Sequence, residues 1–174
     1  WGGAGSSGPG AVAAWRPAYR HDRTTAQGAA MNRKKTTRPT DFRAWTPDFD
    51  EWPERWMGME EDLDYGRRLL PYFADFLQAI LDEGLSRRTF ALHRDNLWLL
   101  GGSIISRVNL FEEYADDPLE KLTRCVGGGG ILPDHFDQMS ESELDEFART
   151  CRRVERYLKN NPPGARRPTP QDPA

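Results

Sequence analysis

The sequence predicts an all-α fold: a compact bundle of four to five helices with disordered N- and C-terminal tails. Three observations predict it. Apolar residues recur at three- and four-residue spacing over several long segments. Those segments open and close on helix-capping residues. No segment alternates apolar and polar residues as a half-buried strand would. The apolar stripes and caps all fall within residues 41–160, which are expected to form the folded domain. Residues 1–40 and 161–174 are rich in Gly, Pro, Ser, Thr, Ala and Arg and poor in aliphatic side chains. Such segments cannot offset the entropy of ordering, so both are expected to be tails. The chain begins with Trp1 and its first methionine is Met31, which suggests translation from Met31.

The ordered part opens with an arm, "DFRAWTPDFDEWPERWMGMEEDLDYG", in which Trp45, Trp52 and Trp56 alternate with acids and prolines. Two readings stand: indoles packed over the bundle, or an exposed segment that docks a partner through those three tryptophans. A helix follows over about 61–83, with Leu63, Leu70, Phe73, Leu77 and Ile80 on its stripe. Pro71 is expected to kink or divide it, having no N–H to give and a ring that crowds the preceding turn. Gly84 supplies a left-handed end, and Leu85 an apolar contact closing the turn.

Ser86 caps the next helix, expected to run to about Asn109. Its stripe is Phe90, His93, Leu97, Leu100, Ile104 and Val108, with Leu92, Trp98, Leu99 and Ile105 on other sides. A helix apolar on several sides is surrounded by others, which makes this the central one. Gly101-Gly102 in its middle costs roughly 1 kcal/mol per glycine relative to alanine. Close approach of a neighbouring helix would offset that cost. Asp117-Pro118-Leu119-Glu120 starts a short helix that ends at Gly127–Gly130. Ser140 and Glu143 form the capping box of the last helix, with Leu144, Phe147, Ala148, Cys151, Val154 and Leu158 inward and "NNPPG" as its end.

Composition narrows the function classes. No apolar run reaches the ~18 residues needed to span a bilayer, and residues 1–30 lack the apolar stretch of a signal peptide. With two cysteines, Cys125 and Cys151, there is no disulfide framework and no zinc set, so buried thiols in a cytoplasmic protein are expected. Net charge is -3 but unevenly spread, with nine acids against two bases in 41–64 and seven bases against two acids in 147–174. Basic regions on an acidic body are the expectation.

Enzyme signatures are missing. "VGGGGIL" lacks the Lys-Ser/Thr of a phosphate loop and reads as a flexible connector. His135, with Asp134 and Asp137, has no second cluster to complete a metal site. His93 lies on the apolar stripe and reads as a hydrogen-bonded core residue. No cofactor is expected, and no serine or cysteine has a readable base partner. Two basic arrays remain. Arg149, Arg152, Arg153, Arg156 and Lys159 share one face of the last helix, where acids in the first turns and bases in the last suit the helix dipole. Arg87 and Arg88 do not suit it: they occupy the first turn of the Ser86 helix, where positive charge is disfavoured by roughly 0.3–1 kcal/mol. Arg94 follows Arg87 on the same side. A ligand that accepts positive charge would account for them, with phosphates first and the chain's own acids as competitors.

Residues 76–105, "FLQAILDEGLSRRTFALHRDNLWLLGGSII", resemble the N-terminal core-binding domain of tyrosine recombinases (phage integrases). There a helix ends in a glycine-containing turn, and Leu-Ser opens a second helix with Thr three residues after the Ser, as at Leu85, Ser86 and Thr89. The resemblance implies that Arg87, Arg88 and Arg94 grip DNA. It does not extend to the recombinase catalytic domain, which has no counterpart in this chain, and no His-x-x-Arg occurs. As a whole the chain looks like a small bacterial protein. The leading expectation is a non-enzymatic, nucleic-acid-binding accessory of a mobile element. The alternative is a protein–protein interaction module docking through its Trp-rich acidic arm.

Overall fold

Two long helices form the frame. The structure is a computed structural model and describes residues 38–162. The expected tails, but for their innermost positions, and the suggested start at Met31 lie outside the described residues. Among those residues there are five α-helices and no strand: α1 (Trp52–Trp56), α2 (Glu60–Asp82), α3 (Arg87–Phe111), α4 (Pro118–Val126) and α5 (Glu141–Asn160). This is the expected all-α bundle. No described helix is long and apolar enough to cross a membrane.

The turn between α2 and α3 forms as its residues dictate. Gly84 takes φ +90, where a side chain would be strained. Ser86 Oγ accepts from the Thr89 N–H at 3.1 Å and starts α3. The two helices run antiparallel, because Asp62 near the start of α2 reaches Asn109 near the end of α3. Leu69, Phe73, Leu77 and Ile80 of α2 are buried with Phe90, Leu97, Leu100, Ile104 and Val108 of α3. Phe147, Cys151 and Val154 of α5 and Leu122, Cys125 and Val126 of α4 complete the core. Pro71 does not divide α2, which continues unbroken from Glu60 to Asp82. Pro71 and Arg67 both lie on the exposed face, so water can reach the Arg67 carbonyl that loses its donor.

α5 packs on α3 through a polar contact inside the core. Thr150 Oγ1 donates to the Glu146 carbonyl at 3.1 Å. Its oxygen therefore accepts from His93 Nδ1 at 2.9 Å and from Asn96 Nδ2 at 3.1 Å. His93 is thus a hydrogen-bonded core residue carrying its proton on Nδ1. Burial, with Arg153 nearby, pushes its pKa down to about 4.

The glycine run between α4 and α5 is more than a connector. A Cβ on Gly130 would sit 2.6 Å from Cys151 Sγ, so the turn backs directly on α5. Burial raises the pKa of both thiols, that of Cys151 to about 12, which keeps them protonated and poorly nucleophilic.

Candidate nucleic-acid interface

The arm of residues 38–59 decides which predicted site residues are free. It runs along the α2–α3 pair and is clasped by Gln78, whose Oε1 accepts from the Phe42 N–H and whose Nε2 donates to the Thr40 carbonyl. Its aromatic rings then stack inward. Phe49 meets Trp52 at 4.8 Å, Trp52 meets Trp56 at 5.7 Å, and Trp56 meets Phe73 of α2 edge-on at 6.1 Å. Trp45 packs edge-on against Phe90 at 5.2 Å.

The reading of Trp45, Trp52 and Trp56 as an exposed docking segment therefore fails. Trp52 is only 1% exposed, and the other two rest on core rings. The hydrophobic gain from burying indoles outweighs any preference of the acidic stretch for solvent, since its carboxylates stay on the outer side. Trp56 also explains Gly101, though not Gly102. A Cβ on Gly101 would lie 2.3 Å from Trp56 Cζ2, and one on Gly102 would lie 3.4 Å from Trp56 Cδ1. The close approach expected at the glycine pair is present at Gly101, and it comes from an indole of the arm, not from a neighbouring long helix.

Arg94 is also engaged within the fold. It donates to Asp95 through Nε at 2.8 Å and Nη2 at 2.7 Å, and to the Trp45 carbonyl through Nη1 at 3.0 Å. It clamps the arm to α3. Three of its five N–H donors are thus engaged within the fold, which sets Arg94 apart from Arg87 and Arg88 and gives it a structural role beside the ligand role expected for it.

Arg87 and Arg88 are different. Both are exposed, and neither has a hydrogen bond or ion pair with a described residue. The α5 array divides. Lys159 pairs with Glu155 at 2.8 Å, and Arg153 pairs with Glu83 at the end of α2. Arg152 and Arg156 are exposed without such a partner, and Arg149 donates only to the Asp145 carbonyl, at 3.3 Å. These three sit at i, i+3 and i+7 on the outer face. Nine of the sixteen described Lys and Arg side chains form ion pairs. The other seven are Arg38 and six on these two helices: Arg87, Arg88 and Arg107 of α3 and Arg149, Arg152 and Arg156 of α5, with Arg107 at the far end of α3 from Arg87.

The Glu83–Arg153 bridge joins the two sets. Glu83 precedes Arg87 by four residues, and Arg153 lies between Arg152 and Arg156 on α5. Sequence reasoning placed both arrays but not the bridge, which links residues seventy positions apart. Among the described residues, no group of three or more His, Cys, Asp or Glu side chains is placed to hold a metal ion. No protein-family model, no curated protein and no solved structure matches the chain.

Proposed function

We propose that the protein is a non-enzymatic binding module that holds the phosphate backbone of nucleic acid with the free arginines around the Glu83–Arg153 bridge. The observation that carries this reading is the state of Arg87 and Arg88. They stand exposed in the first turn of α3 without an acidic partner among the described residues. Positive charge there is disfavoured by roughly 0.3–1 kcal/mol, and no interaction within the described fold offsets it. Arg149, Arg152 and Arg156 extend the same chemistry along α5. The resemblance of residues 76–105 to the recombinase core-binding domain makes duplex DNA the first probe.

The body sets a limit on affinity. Residues 38–162 carry 25 Asp and Glu against 16 Lys and Arg, a formal balance of −9. A polyanion is repelled by most of this surface and attracted only where the arginines stand free. Binding is therefore expected at low ionic strength and should weaken steeply with salt. The test is a salt titration of a short fluorescent duplex by anisotropy. Replacing Arg87, Arg88, Arg149, Arg152 and Arg156 with Gln should flatten the log–log slope by about 0.9 for each phosphate that is no longer neutralised. A parent protein that does not bind the duplex at low salt overturns the reading.

A further inference from the structure

The opposite end of α3 carries a second surface of another kind. Every large apolar side chain exposed among the described residues, namely Met57, Met59, Leu110, Phe111, Leu132 and Phe136, comes from three short segments. These are the α1–α2 link, the last turn of α3, and the loop before α5. Hydrogen bonds tie the three together. Asp62 accepts from the Gly58 and Met59 N–H groups at 2.8 and 3.0 Å, and from Asn109 and Tyr114 beyond the link. Arg107 donates to the Leu132 carbonyl at 3.4 Å, and Ser103 Oγ accepts from the Asp134 N–H at 2.9 Å. Phe111 lies one turn beyond Arg107, on the same side of α3.

The last turn of α3 holds its apolar residues outward by a built device. The Glu113 N–H bonds the Val108 carbonyl and the Glu112 N–H bonds that of Asn109, with Glu112 itself at φ 55. This is a Schellman ending with glutamate where glycine is usual. Leu110 is left 72% exposed and Phe111 63%.

Charge decides the occupant. Glu60, Glu61, Glu112, Asp134 and Asp137 are exposed beside these apolar groups, and none forms an ion pair with a described residue. Carboxylates in the last turn also meet the negative end of the α3 dipole. Five free carboxylates against one unpaired cation, Arg107, leave the surroundings of these apolar groups net acidic, which disfavours nucleic acid and anionic lipid. The surface complements a helix with apolar side chains on one face and Lys or Arg along its flanks. Two methionines at the edge give such a face adaptable contacts. We infer that the C-terminal end of α3, with the Met57–Met59 link and the Leu132 loop, docks a basic amphipathic helix of a partner protein. The inference stands independently of the nucleic-acid reading, because it uses the other end of α3.

The probe is a synthetic Leu/Lys amphipathic helical peptide, titrated into the full chain by calorimetry. A peptide of the same composition with its leucines scattered off one face is the control. The amphipathic peptide should bind at least tenfold more tightly than the control. Leu110→Ser with Phe111→Ser should remove that difference while leaving the melting temperature nearly unchanged, since both side chains are exposed. Glu60→Gln with Glu61→Gln should weaken binding severalfold and reduce its salt dependence. Equal binding of the two peptides, or binding indifferent to the Leu110/Phe111 change, overturns the proposal. So does sedimentation showing a dimer that this change dissolves, which would make the occupant a second copy. So does hydrogen exchange in which the same change exposes residues 1–37, which would assign the face to the chain's own N-terminal segment.

Discussion

α3 and α5 are both long and capped by serine, yet their charges are arranged in opposite ways. α5 has Glu141 and Glu143 in its first turn and Lys159 in its last, the order the helix dipole favours. α3 has no acid in its first turn and no base in its last. It opens on Arg87 and Arg88 and ends beside Glu112 and Glu113. The charges at the two ends of α5 are accounted for by its own stability. Those of α3 work against it at both ends, and both ends are also where exposed groups lack partners within the described fold. A helix whose middle is buried and whose two ends are locally unfavourable is the part of this molecule most readily explained by ligands.

The hydrogen bond that holds the two compared helices together gives the largest expected effect. His93 of α3 is buried and neutral against Thr150 of α5, with its pKa pushed down to about 4 from an ordinary 6.5. Below the unfolded value, the unfolded chain takes up a proton that the folded chain refuses. This contribution to stability is complete above about pH 6.5 and fades as pH falls toward 4. From the 1.36 kcal/mol carried by each pKa unit, the loss is on the order of 3 kcal/mol. A histidine NMR titration should show the His93 ring neutral down to about pH 4. A midpoint near 6.5 would mean that the α3–α5 contact is open to water.

The middle of α3 comes next. Gly101→Leu should destabilise by about 1–3 kcal/mol, because the Trp56 ring that it meets is held by Trp52 and Phe73 and cannot swing aside. Gly102→Ala meets only ordinary contact, at 3.4 Å from Trp56 Cδ1, and gains roughly 1 kcal/mol of helix propensity. It should be neutral or stabilising. Thermal melts of the two variants should therefore move apart. Equal shifts would mean that the arm does not press on α3.

This pair also marks the boundary of what the sequence made legible. Ser86, Asp117, Ser140 and Gly84 announce helix ends because capping is local, settled within three or four residues. The glycine pair announced a close approach for the same reason, since the cost of glycine in a helix is local. The identity of the partner was not local: Trp56 lies forty-five residues upstream, and only the tertiary structure brings it there. Arg94 looked equivalent to Arg87 by helical phase, but the Trp45 carbonyl that occupies it belongs to the arm. Asp62, 2% exposed and fixing the link to the end of α3, read as one acid in an acidic run. The apolar end was missed for a simpler reason. With α3 expected to stop at Asn109, Leu110 and Phe111 fell in a loop. The signal was present in two bulky apolar residues that continue the helix off its buried stripe.

The smaller effects separate the two helices directly. Glu112→Gly should stabilise by up to about 1 kcal/mol, because glycine takes the left-handed conformation without strain and the change removes a carboxylate from the negative end of α3. Glu143→Gln on α5 should do the reverse by a few tenths of a kcal/mol to about 1, since that carboxylate accepts from the Ser140 N–H and faces the positive end of its helix. Hydrogen bonding from Ser140 holds its pKa below the usual glutamate range, so its contribution is present above that range and is lost as pH falls through the lowered value. Chemical denaturation of the two variants at neutral pH should give shifts of opposite sign.

The central claim is that the arginines at the start of α3 serve a ligand at the expense of the helix. It is tested most directly by measuring stability and duplex binding together on Arg87→Gln/Arg88→Gln. The predicted result is a melting temperature unchanged or slightly raised, by the few tenths of a kcal/mol that relief of the dipole clash supplies, with weaker duplex binding and a shallower salt slope. A variant that melts earlier, or one that binds the duplex as the parent does, would contradict it.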